Sequence, residues 1–157
     1  MKSVKLTKGM FALVDDDDYE LVIRYRWHAL KVYKTWYARG CVEGEIIYLH
    51  RFLLGLKPGE KGDHKDRNGL NNCRNNLRIC TMSQNQGNRG INHGSKSGFK
   101  GVTRNKNTWI ASIFDGGRSV YLGTSDDRVE LAKKYDAAAI AKFGEFATTN
   151  KSLGLIP

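Results

Sequence analysis

Asp63 and His64 stand side by side in GDHKD (residues 62–66), and Asn85 closes NNLRICTMSQN (residues 75–85). A carboxylate beside an imidazole offers a metal ligand and a base. Hydrolysis of a phosphodiester calls for both: a base to activate water, and a cation to take up charge on the phosphate and leaving oxygen. His64, with an ordinary pKa of about 6.5, takes a proton at neutral pH. Asp63 and Asn85, with water and phosphate completing the shell, suit a hard ion such as Mg²⁺ or Mn²⁺. Neighbours on an extended strand point to opposite faces, so joint work by Asp63 and His64 calls for a distorted strand end or turn. An Asp-His pair is also what an ordinary polar loop contains.

Those side chains need a frame. Residues 1–56 alternate short apolar runs with turn signals: VKLTKG, MFALV, RWHALKV, TWYARGCV and EIIYLHRFLLGL read mostly as strands from their β-branched and aromatic content. DDDDYELVIRY predicts a short helix with acids at its positive N-terminal end, and the four aspartates suit a solvated helix start or a metal site. YLHRFLLG predicts a further helical turn or two, closed by Gly55. LRIC is a short strand, and TMSQNQGNRG a helix capped by Thr81 or Ser83 and ended by Gly90. INHGSKSG reads as a flexible linker. FKGVTR, TWIASIFD and SVYLGT then predict three strands with turns at NKN and DGGR. DRVELAKKYDAAAIAKFG is the strongest helix, with Leu131, Tyr135, Ala139 and Phe143 recurring on one face and Gly144 at its end.

The net charge of +10 comes from 26 basic and 16 acidic residues in 157. It is uneven: residues 1–60 carry +2, residues 61–97 +5 and residues 98–157 +3. The most positive segment per residue contains the candidate site. Concentrated Lys and Arg there point to a polyanion, because neutralising phosphates releases counterions; a basic surface kept for solubility is the alternative. No apolar run reaches the roughly 18 to 20 residues of a membrane span. The first residues lack a signal-peptide core. Three cysteines without a CxxC pair argue against disulfides and zinc, so a reducing cytosol is expected.

The succession of Asp-His, an Asn-rich loop, NNLRI and a helix bearing Asn85 resembles the HNH endonuclease family. The resemblance runs from about Tyr48 to Arg89 and is carried by YLHRFLLG, DH, NGLNNCRNNLRICT and SQNQGNR. It is nearest the form found in phage and intron homing endonucleases. It implies two strands and a helix around one metal. His64 would be the general base, Asp63 and Asn85 the metal ligands, and Asn76 the asparagine that braces the loop and holds the histidine ring. Arg51, Arg78 and Arg89 would face DNA. His50 either bonds within the fold or joins Arg51 near a phosphate.

SGFKGVTR, TWIASI, VYLGTSD and AAAIAKFGEFATTN resemble the plant ethylene-response-factor (APETALA-two) DNA-binding domain. In that family the sheet enters the major groove and its exposed face reads base edges. Lys100, Arg104, Trp109, Arg118 and Tyr121 fall on or beside the corresponding strands, with Trp109 divided between that face and the core.

The expected fold is α+β. An N-terminal mixed β region leads into a ββα-metal core, followed by a small three-stranded antiparallel sheet packed on one helix. The nuclease domain is expected at 1–92 (leader 1–47, core 48–92), the linker at 93–97 and the DNA-binding domain at 98–157. The expected function is a homing-type, metal-dependent endonuclease acting on double-stranded DNA. It is expected to nick one strand as a cytoplasmic monomer in a bacterial or phage-infected cell, with no obligatory protein partner. A DNA-binding regulator without catalysis, or a phage nuclease of low specificity, are the rivals.

Overall fold

The computed structural model describes residues 1–115 and 117–157. They divide into two units, Met1–Thr81 and Met82–Pro157, both built from small antiparallel sheets and short helices.

The first unit opens with a hairpin, β1 (Lys2–Lys5) and β2 (Phe11–Val14), joined through a 3-10 turn at Thr7–Gly9. Alternation turns Val4, Ala12 and Val14 inward. α1 (Asp16–Val22) begins with three aspartates, where the helix dipole favours negative charge. β3 (Trp27–Val32), β4 (Thr35–Val42) and β5 (Glu45–Tyr48) form an antiparallel sheet in that order. Its inner face carries Trp27, Ala29 and Ala38 into a core shared with Val14, Val22, Leu49 and Leu53. Gly40 sits under the Trp27 ring, where a Cβ would lie 2.9 Å from Cε3.

α2 (Leu49–Leu54) stops at Gly55, whose φ of +61° lets the backbone turn back. β6 (Lys61–His64) and β7 (Leu77–Cys80) then make a two-stranded ribbon. The first residues brace the loop between them. Leu13 N–H donates to Leu70 O (2.8 Å), and Asn72 N–H donates to Leu13 O (2.8 Å). The four aspartates are not all solvated. Asp18 is buried and takes the Arg74 guanidinium at 2.6 and 2.8 Å, and Asp15 accepts from Arg74 N–H at 2.7 Å.

The second unit starts with α3 (Met82–Gly87), which ends three residues before the expected Gly90. Gly87 lies against the Phe143 ring, where a Cβ would be 2.6 Å from Cγ, so only glycine fits this close approach. β8 (Val102–Asn105), β9 (Thr108–Asp115) and β10 (Arg118–Ser125) form a sheet ordered β10-β9-β8. The NKN turn has Lys106 at φ +48°. The DGGR turn contains Gly116, which lies outside the described residues. α4 (Arg128–Phe143) is capped by Asp127, whose carboxylate accepts from Val129 N–H and Glu130 N–H. Leu131, Tyr135, Ala139 and Phe143 are all buried, and the Tyr135 ring lies directly over Gly101.

Residues 93–97, expected as a flexible linker, lie inside this unit. Ser97 is buried and its hydroxyl donates to Val102 O at 2.7 Å. The division between units falls earlier, at Thr81.

Lys100, expected to face DNA, is buried instead. Its ammonium donates to Gly87 O (2.7 Å) and Thr148 O (2.9 Å) and lies over the Tyr135 ring. A charged donor shared by two carbonyls is a strong tie. Lys100→Met should cost about 2 to 3 kcal/mol, since both buried carbonyls lose a charged donor. Urea unfolding followed by far-UV circular dichroism measures this; an unchanged midpoint would assign Lys100 no structural part.

Candidate active site

β6 sets Asp63 and His64 on consecutive positions of an unbroken ladder, Asp63 opposite Arg78 and His64 opposite Leu77. The expected distortion is not there, so carboxylate and imidazole leave from opposite faces of the strand. Cross-strand partners share a face. Arg78 therefore meets Asp63, with Nε at 3.0 Å and Nη2 at 2.9 Å from Oδ2. Both side chains are nearly excluded from solvent, at 11% and 6% exposure. Arg78, expected to contact DNA, is a partner of the carboxylate.

The other face of β6 carries Gly62 and His64 toward α2. Any Cβ at 62 would lie 2.9 Å from His50 Cδ2, so glycine here makes room for a second imidazole. The His50 and His64 rings meet edge to face with centroids 4.9 Å apart. Tyr37 lies 5.9 Å from His64 and 6.1 Å from His50, and Tyr48 lies 5.6 Å from His50. His64 Nε2 is 3.3 Å from Asn72 Oδ1, and Asn72 is wholly buried.

This setting controls protonation. Burial pushes the His64 pKa below its ordinary value, against opposing help from Asn72, Asp66 and Asp63. His50 falls further, to about 3, through burial, the adjoining His64 and the nearby Arg51 charge. Both imidazoles are therefore neutral at pH 7, as a proton acceptor must be.

The loop after His64 is tied by asparagines. Asn76 Nδ2 donates to Asp66 Oδ1 (2.9 Å) and Asn71 O (2.8 Å), while its Oδ1 accepts from Asp66 N–H (3.0 Å). Asn76 braces the loop, but the amide on the histidine ring belongs to Asn72. Among so many asparagines in NGLNNCRNN, the sequence carries no mark that singles out Asn72. Asp66 has burial working against its charge, yet donors from Asn68, Asn71 and Asn76 hold its carboxyl below the usual range.

The remaining expected residues are dispersed. Arg51 donates to Glu60 O (2.7 Å) and Lys57 O (3.0 Å), closing the loop from α2 to β6. Asn85 lies on α3, partly exposed, in the second unit, and Arg89 is exposed just beyond it. In the second sheet, Arg104 pairs across from Trp109, and both share the side of Val102 and Ala111, which face α4. Trp109 is thus half-buried at the core margin, with the Arg104 and Arg128 guanidiniums 4.9 and 5.4 Å from its ring centroid. Arg118, opposite Asp115, is exposed. Of the expected sheet residues, only Tyr121 lies on the outward face, opposite Ser112 and 61% exposed.

The neutral imidazole and the Arg-held carboxylate are residue types that hydrolysis uses, but they stand on opposite faces of β6 and not in the joint arrangement expected. It is kinship that shows the family: the chain belongs to the HNH endonuclease family. It is 34% identical over 152 residues to an uncharacterized HNH endonuclease of Acanthamoeba polyphaga mimivirus, covering 92% of this chain and 76% of that protein. No family model matches the chain, and no solved structure does. Among the described residues, no helix is long and apolar enough to cross a membrane.

Proposed function

We propose that the chain is a metal-dependent DNA endonuclease of homing type that nicks one strand at a time. The observation that carries this reading is His64: a buried imidazole kept neutral, held by Asn72, on the strand that carries Asp63. In this reading His64 takes the proton of the attacking water as the new phosphorus–oxygen bond forms and the leaving oxygen departs. Asn72 and the Tyr37–His50 ring contacts fix the plane of the imidazole. Asn76 keeps the Asp66 loop from displacing it.

The donor chemistry fits a hard divalent ion. Asp63 offers a carboxylate whose Oδ2 is oriented by Arg78, and Asn85 an amide oxygen. Among the described residues no three His, Cys, Asp or Glu side chains cluster into a protein-only cage. That suits Mg²⁺ or Mn²⁺, which keep several waters and take phosphate oxygens into their shell. Bound, such an ion supplies positive charge to the phosphate and the leaving oxygen. Arg89 and Tyr121 remain as DNA contacts in this reading, while Arg104 and Arg118 stand on the α4 side of their sheet.

Each chain carries one Asp63–His64 pair, and one such site attacks one phosphodiester at a time. Supercoiled plasmid incubated with the protein and Mg²⁺ or Mn²⁺ should pass first to open circle, with linear product late. Asp63→Ala should form neither. A protein that binds this plasmid but cuts it in no divalent ion would be the binding regulator instead. Linear product without open circle at low protein would show two sites acting together.

A further inference from the structure

The β3–β4–β5 sheet has a second face, turned away from the core. Register aligns His28, Arg39 and Tyr48 as one row across its three strands. His28 and Arg39 are exposed. At the end of the row, the Tyr48 ring meets Tyr37 at 5.7 Å and His50 at 5.6 Å, and His50 meets His64 at 4.9 Å. Register thus sets the exposed Arg39 opposite Tyr48, the first of a continuous set of rings that ends at the buried His64 imidazole.

The charge on this face has one sign. Thr35, Tyr37 and Cys41 continue it along β4, Leu30 and Val32 along β3, and Ile46 along β5, so none of its side chains is a carboxylate. Glu45 pairs with Val42 on the opposite, core-facing side. Arg39 forms no ion pair with the described residues and is held on the middle strand rather than on a mobile loop. Strands about 4.8 Å apart set His28 roughly 10 Å from Tyr48, measured across the sheet. A planar guanidinium with no ion pair among the described residues, standing in register with Tyr48, matches the fork geometry of a phosphate.

We infer that the His28–Arg39–Tyr48 row is a phosphate-binding track for the DNA that flanks the bond being cut, with Arg39 its main contact. This rests on the DNA endonuclease reading above. Arg39 acts on binding and not on the chemical step, because it reaches the site only through Tyr48 and His50.

The test uses the full chain, supercoiled plasmid with Mg²⁺, and metal-free binding to the linearised plasmid across a salt series. Arg39→Gln should raise KM five- to tenfold with kcat within twofold. It should also lower the slope of log K against log salt by about 0.9, one phosphate contact. Lys133→Gln, the same charge change on α4, should alter neither, and both variants should melt with the parent. If the parent cuts and Arg39→Gln keeps its KM and salt slope, the track is wrong and the nuclease reading stands. A fall in kcat at constant KM would also overturn the track. If the parent binds but does not cut, the salt slopes alone decide it. If the parent neither binds nor cuts DNA, the track fails together with the reading.

Discussion

His64→Ala should remove nearly all cleavage while leaving DNA affinity within a few-fold of the parent. A positioned base contributes about 10² to 10⁴ in rate, and no other group on this face of β6 replaces it. His50 lies against His64, but its pKa of about 3 makes it a poor acceptor at neutral pH. A neutral imidazole also adds little to phosphate attraction, which is why affinity should survive. Initial rates of open-circle formation measure the loss, and a melting curve confirms that the variant folds. Cleavage at the parent's rate would remove His64 from the chemistry.

Acid should destabilise the first unit well above the range where carboxylates protonate. The unfolded chain's His50 titrates at about 6.5, whereas the folded chain's titrates at about 3. Between those values the unfolded state binds a proton that the folded state refuses. Stability from His50 is therefore complete above about pH 6.5 and falls as the pH drops toward 3. At about 1.4 kcal/mol per pH unit, lowering the pH from 6.5 to 4.5 costs about 2 to 3 kcal/mol. His64, also depressed, adds in the same direction. Asp66, held below its usual range, loses its contribution only at lower pH, so this window isolates the imidazoles. His50→Phe keeps a ring against His64 and abolishes the titration. Urea unfolding at pH 6.5, 5.5 and 4.5 should show a shallower pH dependence for the variant. Equal slopes for parent and variant would mean that His50 takes up its proton in the folded chain.

Much of the frame was legible where local chemistry decides. Gly55 closes α2 because its left-handed backbone is a local requirement, and α4 shows its Leu131–Tyr135–Ala139–Phe143 stripe in the spacing itself. Adjacent Asp63 and His64 marked the candidate site, though not the opposite faces on which β6 sets them. What stayed hidden depends on partners far along the chain. Asn72 meets His64 because its backbone is held by Leu13, and Asp18 is buried because Arg74 comes to it. Lys100 looked like any exposed basic residue on a strand; only Gly87 and Thr148 show where its charge goes. Arg78 faces Asp63 through ladder register, which composition does not reveal. Trp109 likewise owes its side of the sheet to pairing with Arg104.

The anchoring of Gly87 by Lys100 and Thr148, and of Asn88 by the Thr148 hydroxyl, bears on how such chains can be recombined. A cut-and-paste exchange of the C-terminal module through residues 93–97 would strip α3 of the groups that hold it. The seam that leaves both pieces intact lies at Thr81. A graft made there carries Asn85 along with the incoming module and leaves Asp63 and His64 behind. An exchange at this seam keeps the Lys100 and Thr148 ties to α3 within one piece.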